Sequence, residues 1–491
     1  SQPHAVAVRR GLVQALLAQQ QYDAAAEEVG TLLAQRPDDA AALTLQGQLA
    51  LARGDIDTAI SVLTRALEQA PLPVALDALL TALMQRGDAQ GARAAVETLL
   101  ARAPQLDFAW SALLQLLSGD RGAALDAATR WRTALPESVS AAEVAAQAGE
   151  DAGQFDLAEE HARHALARHA DRVGAALVLA RAHLRREDAA AALALLAPIY
   201  ERNDVPEVRM SLAPWLGRAS DASGELDAAV RYWREGHALA LPGTTAPALS
   251  LPDADLATRM DAAVASAPSN APAWFLCGAP GSDVERVAVR LGAVTGRRLL
   301  GDRFGPQPRD DAFQRLVFEP PVDAEALLAP WHAALGARGL EPAQVIDWLP
   351  SFDARWLPAL RAALPRSRRV IALRDPRDML LAWLAQGAAQ GILASDPVRA
   401  AAWLALALEQ VVFAQSHDAA HTFVLRMDAA DARGDADFAE FLGVDTLPPP
   451  IPVPTRAGLV AGFPPGHWRR YRNVLGEAFA RLDDVATRLG Y

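Results

Sequence analysis

Two short loops in the second half of the chain carry residue types that could bind an anion. Residues 273–277 form an apolar run, and residues 278–282 (Gly-Ala-Pro-Gly-Ser) follow it as a turn before an amphipathic segment. A second apolar run, 369–373, leads into residues 374–378 (Arg-Asp-Pro-Arg-Asp). Proteins bind phosphate with backbone N–H groups at helix N-termini and with guanidinium groups. The two loops therefore form a candidate anion site.

The Arg374 turn also has a purely structural interpretation. An arginine that follows a buried strand can pair with a nearby carboxylate, and Asp378 or Asp347 would serve. The sequence leaves both interpretations open.

The elements that would position these loops are typical of an α/β domain. Each apolar run reads as a buried strand, followed by a turn and a helix, and this alternation favours a parallel sheet. Ligands of such sheets bind at the carboxyl ends of the strands, which is where both turns would lie.

The first half of the chain is repetitive. Prolines at 37, 71, 104 and 136, and again at 206 and 242, recur at spacings of 32 to 36 residues once Ala170 fills a gap. Between them fall Gly54, Gly87, Gly119, Gly153 and Gly224, with Glu187 standing in once. Proline ends helices and glycine makes turns, so each unit reads as a helix–turn–helix pair.

This pattern resembles the tetratricopeptide repeat over residues 1–242, in about seven units. The resemblance implies an α-solenoid whose concave face binds a protein or peptide, with a rigid spacer or oligomerisation arm as the alternative. Residues 243–270 are a turn-rich linker, and 271–491 form the α/β domain. Tryptophans that could anchor a partner in the groove, or equally fill the core, are Trp110, Trp131, Trp215 and Trp233.

The second half resembles the sulfotransferases, particularly the bacterial class that carries tetratricopeptide repeats before a P-loop-type α/β domain with a central parallel sheet. Four stretches carry the resemblance: residues 273–282; residues 346–350 with 364–365 and 369–373; residues 374–378; and the tail stretches 424–428, 441–443 and 466–471. The family transfers a sulfuryl group from 3′-phosphoadenosine-5′-phosphosulfate to a hydroxyl. The resemblance implies that the donor-binding residues are Gly278, Pro280, Gly281, Ser282 and Arg374.

The donor loop departs from the family pattern, which runs proline, a basic residue, serine, glycine and two hydroxyl residues. Here Gly281 replaces the basic residue, Asp283 the glycine, and Val284 and Glu285 the hydroxyl residues. Asp283 and Glu285 thus place two carboxylates where the family binds its anionic donor. A like-charge contact at ~4 Å costs about 4 kcal/mol at an effective dielectric of 20. Ser282 and Glu285 also have the spacing of a capping box, which predicts that this helix satisfies its own N–H groups.

Two other positions also lack the polar residue that the family pattern has there. Trp348 stands where the family often has a lysine, and Ala382 where it has a serine. Compensating cations would have to come from arginines elsewhere, such as Arg286, Arg290 or Arg303. Asp302 is a weak candidate for a catalytic base, with a surface turn as the alternative.

Composition excludes several other classes of protein. The chain has 491 residues, a net charge of −12 and no lysine among its 47 cations, which excludes a lysine-bearing phosphate loop and Schiff-base chemistry. The acidic balance argues against nucleic-acid binding. Cys277 is the single cysteine, and we expect a buried thiol. His161 and His164 could chelate a metal, but no carboxylate or cysteine cluster is obvious beside them, so we expect none.

We therefore expect a protein-binding scaffold fused to a sulfotransferase-like domain that has lost catalysis and needs no cofactor. The alternative is an active enzyme that uses 3′-phosphoadenosine-5′-phosphosulfate to modify a hydroxyl on a bound protein or another acceptor. With no apolar run of about 18 residues and no signal peptide at Ser1, we expect a cytoplasmic protein without a membrane span.

Overall fold

Residues 2–240 form fourteen consecutive helices in the computed structural model. The structure describes residues 2–240, 249–263, 273–300, 324–349, 352–386, 394–429, 432–448 and 455–491. The helices are α1 (Gln2–Ala18), α2 (Tyr22–Gln35), α3 (Ala40–Ala52), α4 (Ile56–Gln69), α5 (Pro73–Gln85), α6 (Ala89–Arg102), α7 (Asp107–Leu116), α8 (Arg121–Ala134), α9 (Val139–Asp151), α10 (Phe155–Arg168), α11 (Val173–Arg185), α12 (Ala189–Arg202), α13 (Pro206–Ser223) and α14 (Leu226–Leu239).

The helix boundaries follow the proline and glycine series. Helices α2, α4, α6 and α8 each end two residues before a proline of the series. The turn glycines 54, 87, 153 and 224 all have positive φ, between +76° and +83°. Glu187, which takes the glycine position of its unit, also has a positive φ, +61°. The left-handed turn is therefore kept in every unit of the series except that of Gly119, even where a residue with a side chain must adopt it.

Small residues let the paired helices approach closely. A Cβ added at Gly47 on α3 would lie 2.3 Å from Cγ of the fully buried Leu63 on α4. The four tryptophans considered as groove anchors are all buried, and Trp110 stacks on Trp131 with centroids 6.5 Å apart. They belong to the core.

Contacts divide the chain into two units, Ser1–Ala182 and His183–Tyr491. The helix pairs continue to Leu239, close to the predicted limit of 242, but α12, α13 and α14 group with the sheet rather than with the earlier helices.

The described residues of the second unit form a parallel sheet of five strands. These are β1 (Trp274–Cys277), β2 (Arg298–Leu300), β3 (Val345–Leu349), β4 (Arg368–Leu373) and β5 (Thr422–Arg426), in the spatial order β2-β3-β1-β4-β5. Two short antiparallel strands, β6 (Thr455–Arg456) and β7 (Leu459–Val460), form a hairpin. The remaining helices are α15 (Ala254–Ala262), α16 (Val284–Thr295), α17 (Ala324–Ala337), α18 (Leu357–Ala363), α19 (Pro376–Gln386), α20 (Pro397–His417), α21 (Ala432–Leu442), α22 (Gly476–Ala480) and α23 (Asp483–Arg488).

The strand order has one point at which the chain reverses direction across the sheet. After β1 the chain crosses to β2 at one edge of the sheet. After the neighbouring strand β4 it continues to β5 at the opposite edge. A crevice opens at the carboxyl ends of two such strands, and ligands of α/β sheets bind there. The loop after β1 is residues 278–283, which contain the first predicted loop. The loop after β4 is residues 374–375, which begin the second predicted loop, and residues 376–378 open α19.

Helix α14 packs into the same hydrophobic core as the sheet. Trp233 lies in one buried cluster with Phe275 of β1 and Ile371 of β4. His237 is buried, and its ring nitrogens lie 3.1 Å from the carbonyl oxygen of Leu384 and 3.2 Å from the N–H of Ala394. Desolvation lowers the pKa of His237 despite its carbonyl contacts.

Helix α20 is long and apolar enough to span a membrane by length and composition alone, an exception to the expected absence of such a segment. A core helix passes the same test, and Leu404, Leu408 and Val411 of this helix are buried in the core around the sheet.

We predict that Gly47→Ala lowers the free energy of unfolding by about 1–2 kcal/mol, because the new methyl group overlaps the buried Leu63 side chain. The matched control is Gly30→Ala on α2, where an added Cβ meets nothing within 4 Å and better helix propensity should add about 0.5–1 kcal/mol. Urea denaturation followed by circular dichroism measures both. Equal effects of the two substitutions would contradict the close packing of α3 on α4.

We also predict that His237 makes the second unit sensitive to acid. The folded chain holds this imidazole neutral, whereas the unfolded chain binds a proton near the ordinary pKa of about 6.5, so stability is lost as the pH falls below that value. Between pH 7.5 and 5.5 the melting temperature should fall less in His237→Gln than in the wild type. Arg234→Gln, which removes a neighbouring hydrogen bond to Ser395, should keep the wild-type dependence. Identical curves for wild type and His237→Gln would refute the assignment.

Candidate functional site

The two predicted loops meet at the carboxyl ends of β1 and β4. Gly281 has a φ of +80°, and a Cβ there would lie 2.1 Å from the carbonyl oxygen of Met379 in α19. Glycine is therefore required on two grounds, the left-handed backbone and the close packing on α19. The sequence correctly predicted that Gly281, Ser282 and Arg374 lie in neighbouring loops.

The predicted capping box is wrong. The N-cap of α16 is Asp283, whose backbone is left-handed (φ +60°) and whose side chain makes no capping hydrogen bond. Ser282 lies one residue earlier, is buried, and its Oγ has no hydrogen-bond partner in the described structure. The left-handed turn at Asp283 is the physical reason, because a capping residue normally has an extended backbone that directs its side chain at the N–H groups.

Instead of capping the helix, the Asp283 carboxylate lies between two arginines. Arg374 Nη1 is 3.4 Å from Asp283 Oδ1, and Arg286 Nη1 is 3.6 Å from Oδ2. Arg374 is almost fully buried, and its second terminal nitrogen donates to the carbonyl of Phe463 at 2.9 Å. An internal carboxylate thus occupies the position facing the arginine of the predicted phosphate motif.

The rest of the 374–378 turn is structural. Arg377 pairs with Asp375 at 2.8 Å and lies over the Trp468 ring at 4.1 Å. Asp378 accepts hydrogen bonds from the backbone N–H groups of Gly466 (2.5 Å) and Trp468 (2.9 Å), while burial raises its pKa. These contacts join the tail stretch 466–471 to the turn.

The structural interpretation of Arg374 named the wrong partners. Asp378 is committed to backbone N–H groups, and Asp347 accepts a hydrogen bond from Trp331 Nε1 at 2.7 Å. Asp283 is the carboxylate that pairs with Arg374. Its left-handed backbone at the start of α16 turns it toward the β4 loop, which sequence spacing does not reveal.

A cavity of about 950 Å³ opens beside these arginines, within the second unit. Its charged and titratable lining comes from Arg286, Arg374 and Asp283 of the α/β part, Asp428 and His467 of the tail, and Glu187, Arg218 and Asp221 of the last helix pairs. The apolar wall includes Leu184, Met427, Leu459, Val460 and Phe463. The residues of the 278–282 loop do not line this cavity, whereas the next residue, Asp283, does.

Asp221 on α13 is the centre of a hydrogen-bond cluster at the cavity wall. Its Oδ1 lies 2.9 Å from His467 Nε2, 2.9 Å from an Arg470 nitrogen and 2.8 Å from the Tyr471 hydroxyl. Burial opposes ionisation of Asp221, but these contacts outweigh it and lower its pKa. For Tyr471, burial and the Asp221 charge raise the pKa.

Sequence reasoning missed Asp221 and Arg218 as site residues. Both come from a repeat helix, and His467 lies 246 residues after Asp221. The repeat pattern gives no signal for them, because it describes how helices pair and not what the last pair contacts. The resemblance of residues 466–471 to a family tail was the available hint for His467.

Several other sequence candidates lie away from this crevice. Asp302 and Arg303 fall outside the described residues. Arg290 pairs with Asp435 at 2.8 Å, so it does not replace a missing donor cation. Cys277 is fully buried as expected, and burial raises the pKa of its thiol to about 12. Gly278, Pro280 and Ala382 are buried, Ala382 within α19.

Metal binding has no support in the described part of the chain, where no group of three or more His, Cys, Asp or Glu side chains could hold an ion. His164 instead contacts Arg132 at 2.9 Å and Arg168 at 3.2 Å.

Comparison with solved structures finds helical repeat proteins. The C-terminal part of a TPR repeat-containing protein from Cytophaga hutchinsonii shares 12% identity, covering 47% of this chain and 95% of its own, with a TM-score of 0.35. A tetratricopeptide repeat protein from Parabacteroides merdae shares 16% identity, covering 48% of this chain and 94% of its own, with a TM-score of 0.32. PilF from Pseudomonas aeruginosa shares 18% identity, covering 43% of this chain and 95% of its own, with a TM-score of 0.33. No curated protein sequence matches the chain.

Family models identify the repeats directly. Two models described as tetratricopeptide repeat match residues 10–72 and residues 50–117. These residues cover α2–α7, which are the helix pairs whose boundaries follow the proline and glycine series. The N-terminal part of this chain is therefore built from tetratricopeptide repeats.

Proposed function

We propose that this chain is a protein-binding scaffold whose repeats hold a protein or peptide partner and whose sulfotransferase-like α/β part has lost donor-dependent catalysis. The observation that carries the second half of the proposal is the Asp283 carboxylate between Arg374 and Arg286. An incoming phosphate would have to displace this carboxylate or lie against it.

The residues at the crevice do not fit a multiply anionic donor. The family's basic loop residue is replaced by Gly281, whose backbone is packed on α19 and leaves no room for a side chain. Each additional negative charge on a ligand would meet Asp283 at short range, where repulsion amounts to several kcal/mol. The one polar side chain that this loop retains, Ser282, is buried and does not line the cavity.

The repeats supply a groove for the proposed partner. In the first unit, residues of α1, α3 and α5 line a depression of about 430 Å³. Its lining mixes apolar and polar side chains: Gln14, Leu17, Gln48, Leu51, Ala52, Asp77, Ala78 and Thr81. Stacked helix pairs commonly bind extended segments across such successive helices.

A second candidate function is an active sulfotransferase that modifies a hydroxyl on the bound partner. The observation in its favour is His467, which Asp221 orients at the wall of the 950 Å³ cavity and which could accept a proton from a hydroxyl. This function requires Asp283 to leave Arg374.

We predict that the wild-type protein does not bind adenosine 3′,5′-bisphosphate at micromolar concentrations in calorimetry, and that Asp283→Gly gains measurable binding. The substitution frees two arginines, restores the family glycine and suits the left-handed backbone. The matched control is Asp435→Asn, which removes the ion-pair partner of Arg290. Arg290 lies on α16, as Arg286 does, but outside the crevice, so this variant should gain no binding of the bisphosphate. Micromolar binding by the wild type would refute the lost-donor proposal. Radiolabelled sulfate transfer to a partner, abolished by Arg374→Ala, would establish the second candidate.

We predict that Leu51→Glu weakens capture of the partner at least tenfold, because it places a charge in the groove of α1, α3 and α5. The full-length protein is used as bait, and bound proteins are quantified by mass spectrometry. Thr64→Glu on the exposed side of α4 adds the same charge outside the groove and should leave capture unchanged. A partner retained equally by both variants would place the interaction elsewhere.

A further inference from the structure

Arg218 on α13 is a half-buried cation without a carboxylate partner among the described residues. One terminal nitrogen donates to the carbonyl of Val460 at 2.5 Å. The nearest carboxylate along the helix, Asp221, is already held by His467, Arg470 and Tyr471. Burial lowers the pKa of the Arg218 guanidinium, because removing the charged form from water is unfavourable.

The guanidinium has free capacity to bind an anion. An arginine has five N–H donors, and the described structure uses one of the Arg218 donors. Arg218 lines both neighbouring cavities, so a ligand there can reach its side chain. An anion that accepts hydrogen bonds from its other donors would balance the charge in a partly desolvated setting, where such contacts are strongest.

Arg218 stands between two cavities of different character. On one side is the 950 Å³ cavity, and on the other a recess of about 140 Å³. Aromatic rings dominate the walls of the recess: Trp215 and Trp233 are both buried, and Trp233 packs on Phe463 with centroids 5.9 Å apart. Pro214, Ala385, Leu459 and Ala461 complete its apolar lining. An apolar cavity of about 150 Å³ is sufficient for benzene.

Two other charged groups of the larger cavity already have partners. Asp283 pairs with Arg286 and Arg374, and Asp428 accepts hydrogen bonds from the Tyr491 hydroxyl and the Asp375 N–H. Glu187 is exposed and makes no ion pair with another described residue, so it adds negative charge at the edge of the cavity. The anion preference is therefore local to Arg218 and the adjacent recess.

We propose that this pair of cavities binds a small aromatic anion, with its ring in the recess of Trp215, Trp233 and Phe463 and its anionic group on Arg218. A free small molecule fits better than a protein segment, because the larger cavity, about 950 Å³, has the size of a small-molecule pocket, roughly 300–1,000 Å³. The ligand would bind across the last repeat helices and the 455–465 segment. This proposal does not depend on whether the crevice at Asp283 accepts a nucleotide.

Phenyl phosphate is the probe, titrated into the full-length protein by calorimetry. We expect it to bind at least tenfold more tightly than inorganic phosphate, which lacks the ring, and than phenol, which lacks the charge. Arg218→Gln should weaken it at least tenfold, and Arg218→Lys less, because lysine keeps the charge without the planar fork. Ala461→Phe, which fills the recess, should weaken phenyl phosphate but not inorganic phosphate.

The matched control is Arg231→Gln on α14, which removes an arginine that pairs with Glu235 outside both cavities and should leave binding unchanged. Melting temperatures of all variants identify any that fail to fold, and the Lys and Phe variants test the site independently of Arg218→Gln. No binding of phenyl phosphate to the wild type at millimolar concentration would overturn the proposal. Equal binding of phenol and phenyl phosphate, or unchanged binding in both Arg218→Gln and Ala461→Phe, would overturn it as well.

Discussion

The Asp283 carboxylate between Arg374 and Arg286 is the interaction on which the chemistry of the second unit depends. It lies at the carboxyl ends of β1 and β4, where the strand order leaves a crevice for ligands. The parallel sheet brings the two loops together, and the left-handed backbone at Asp283 turns its side chain toward the arginines. The fold thus places two arginines at this crevice and pairs both with a carboxylate of the same chain.

Because Asp283 pairs with these arginines, the residues around them also make contacts within the chain. Arg374 pairs with a carboxylate and donates to a backbone carbonyl. The turn contacts the tail through Asp375, Arg377 and Asp378. A motif that would bind a phosphate in an enzyme can in this way stabilise a scaffold. The same tail also reaches the repeat helices, since His467, Arg470 and Tyr471 all contact Asp221. The last repeat and the sheet consequently form one unit and share a hydrophobic cluster.

Sequence reasoning was most accurate where a local rule determines the structure. Proline stops and left-handed glycines fixed the helix pairs, and even Glu187 was correctly identified as the substitute for a turn glycine. The alternation of apolar runs and turns indicated the parallel sheet and the meeting of Gly281 with the Arg374 loop. The capping box at Ser282 failed because spacing alone does not encode the left-handed turn at Asp283. Arg218 and Asp221 escaped notice because their role depends on contacts with residues more than 200 positions later.

The central claim is that Asp283 itself fills the anion position of the crevice. A crystal structure of the full-length protein grown with excess adenosine 3′,5′-bisphosphate tests it most directly. Our account predicts density for the Asp283 carboxylate within ion-pair distance of Arg374 and no nucleotide in the crevice. Density for the bisphosphate beside Ser282 and Arg374, with Asp283 displaced, would contradict it.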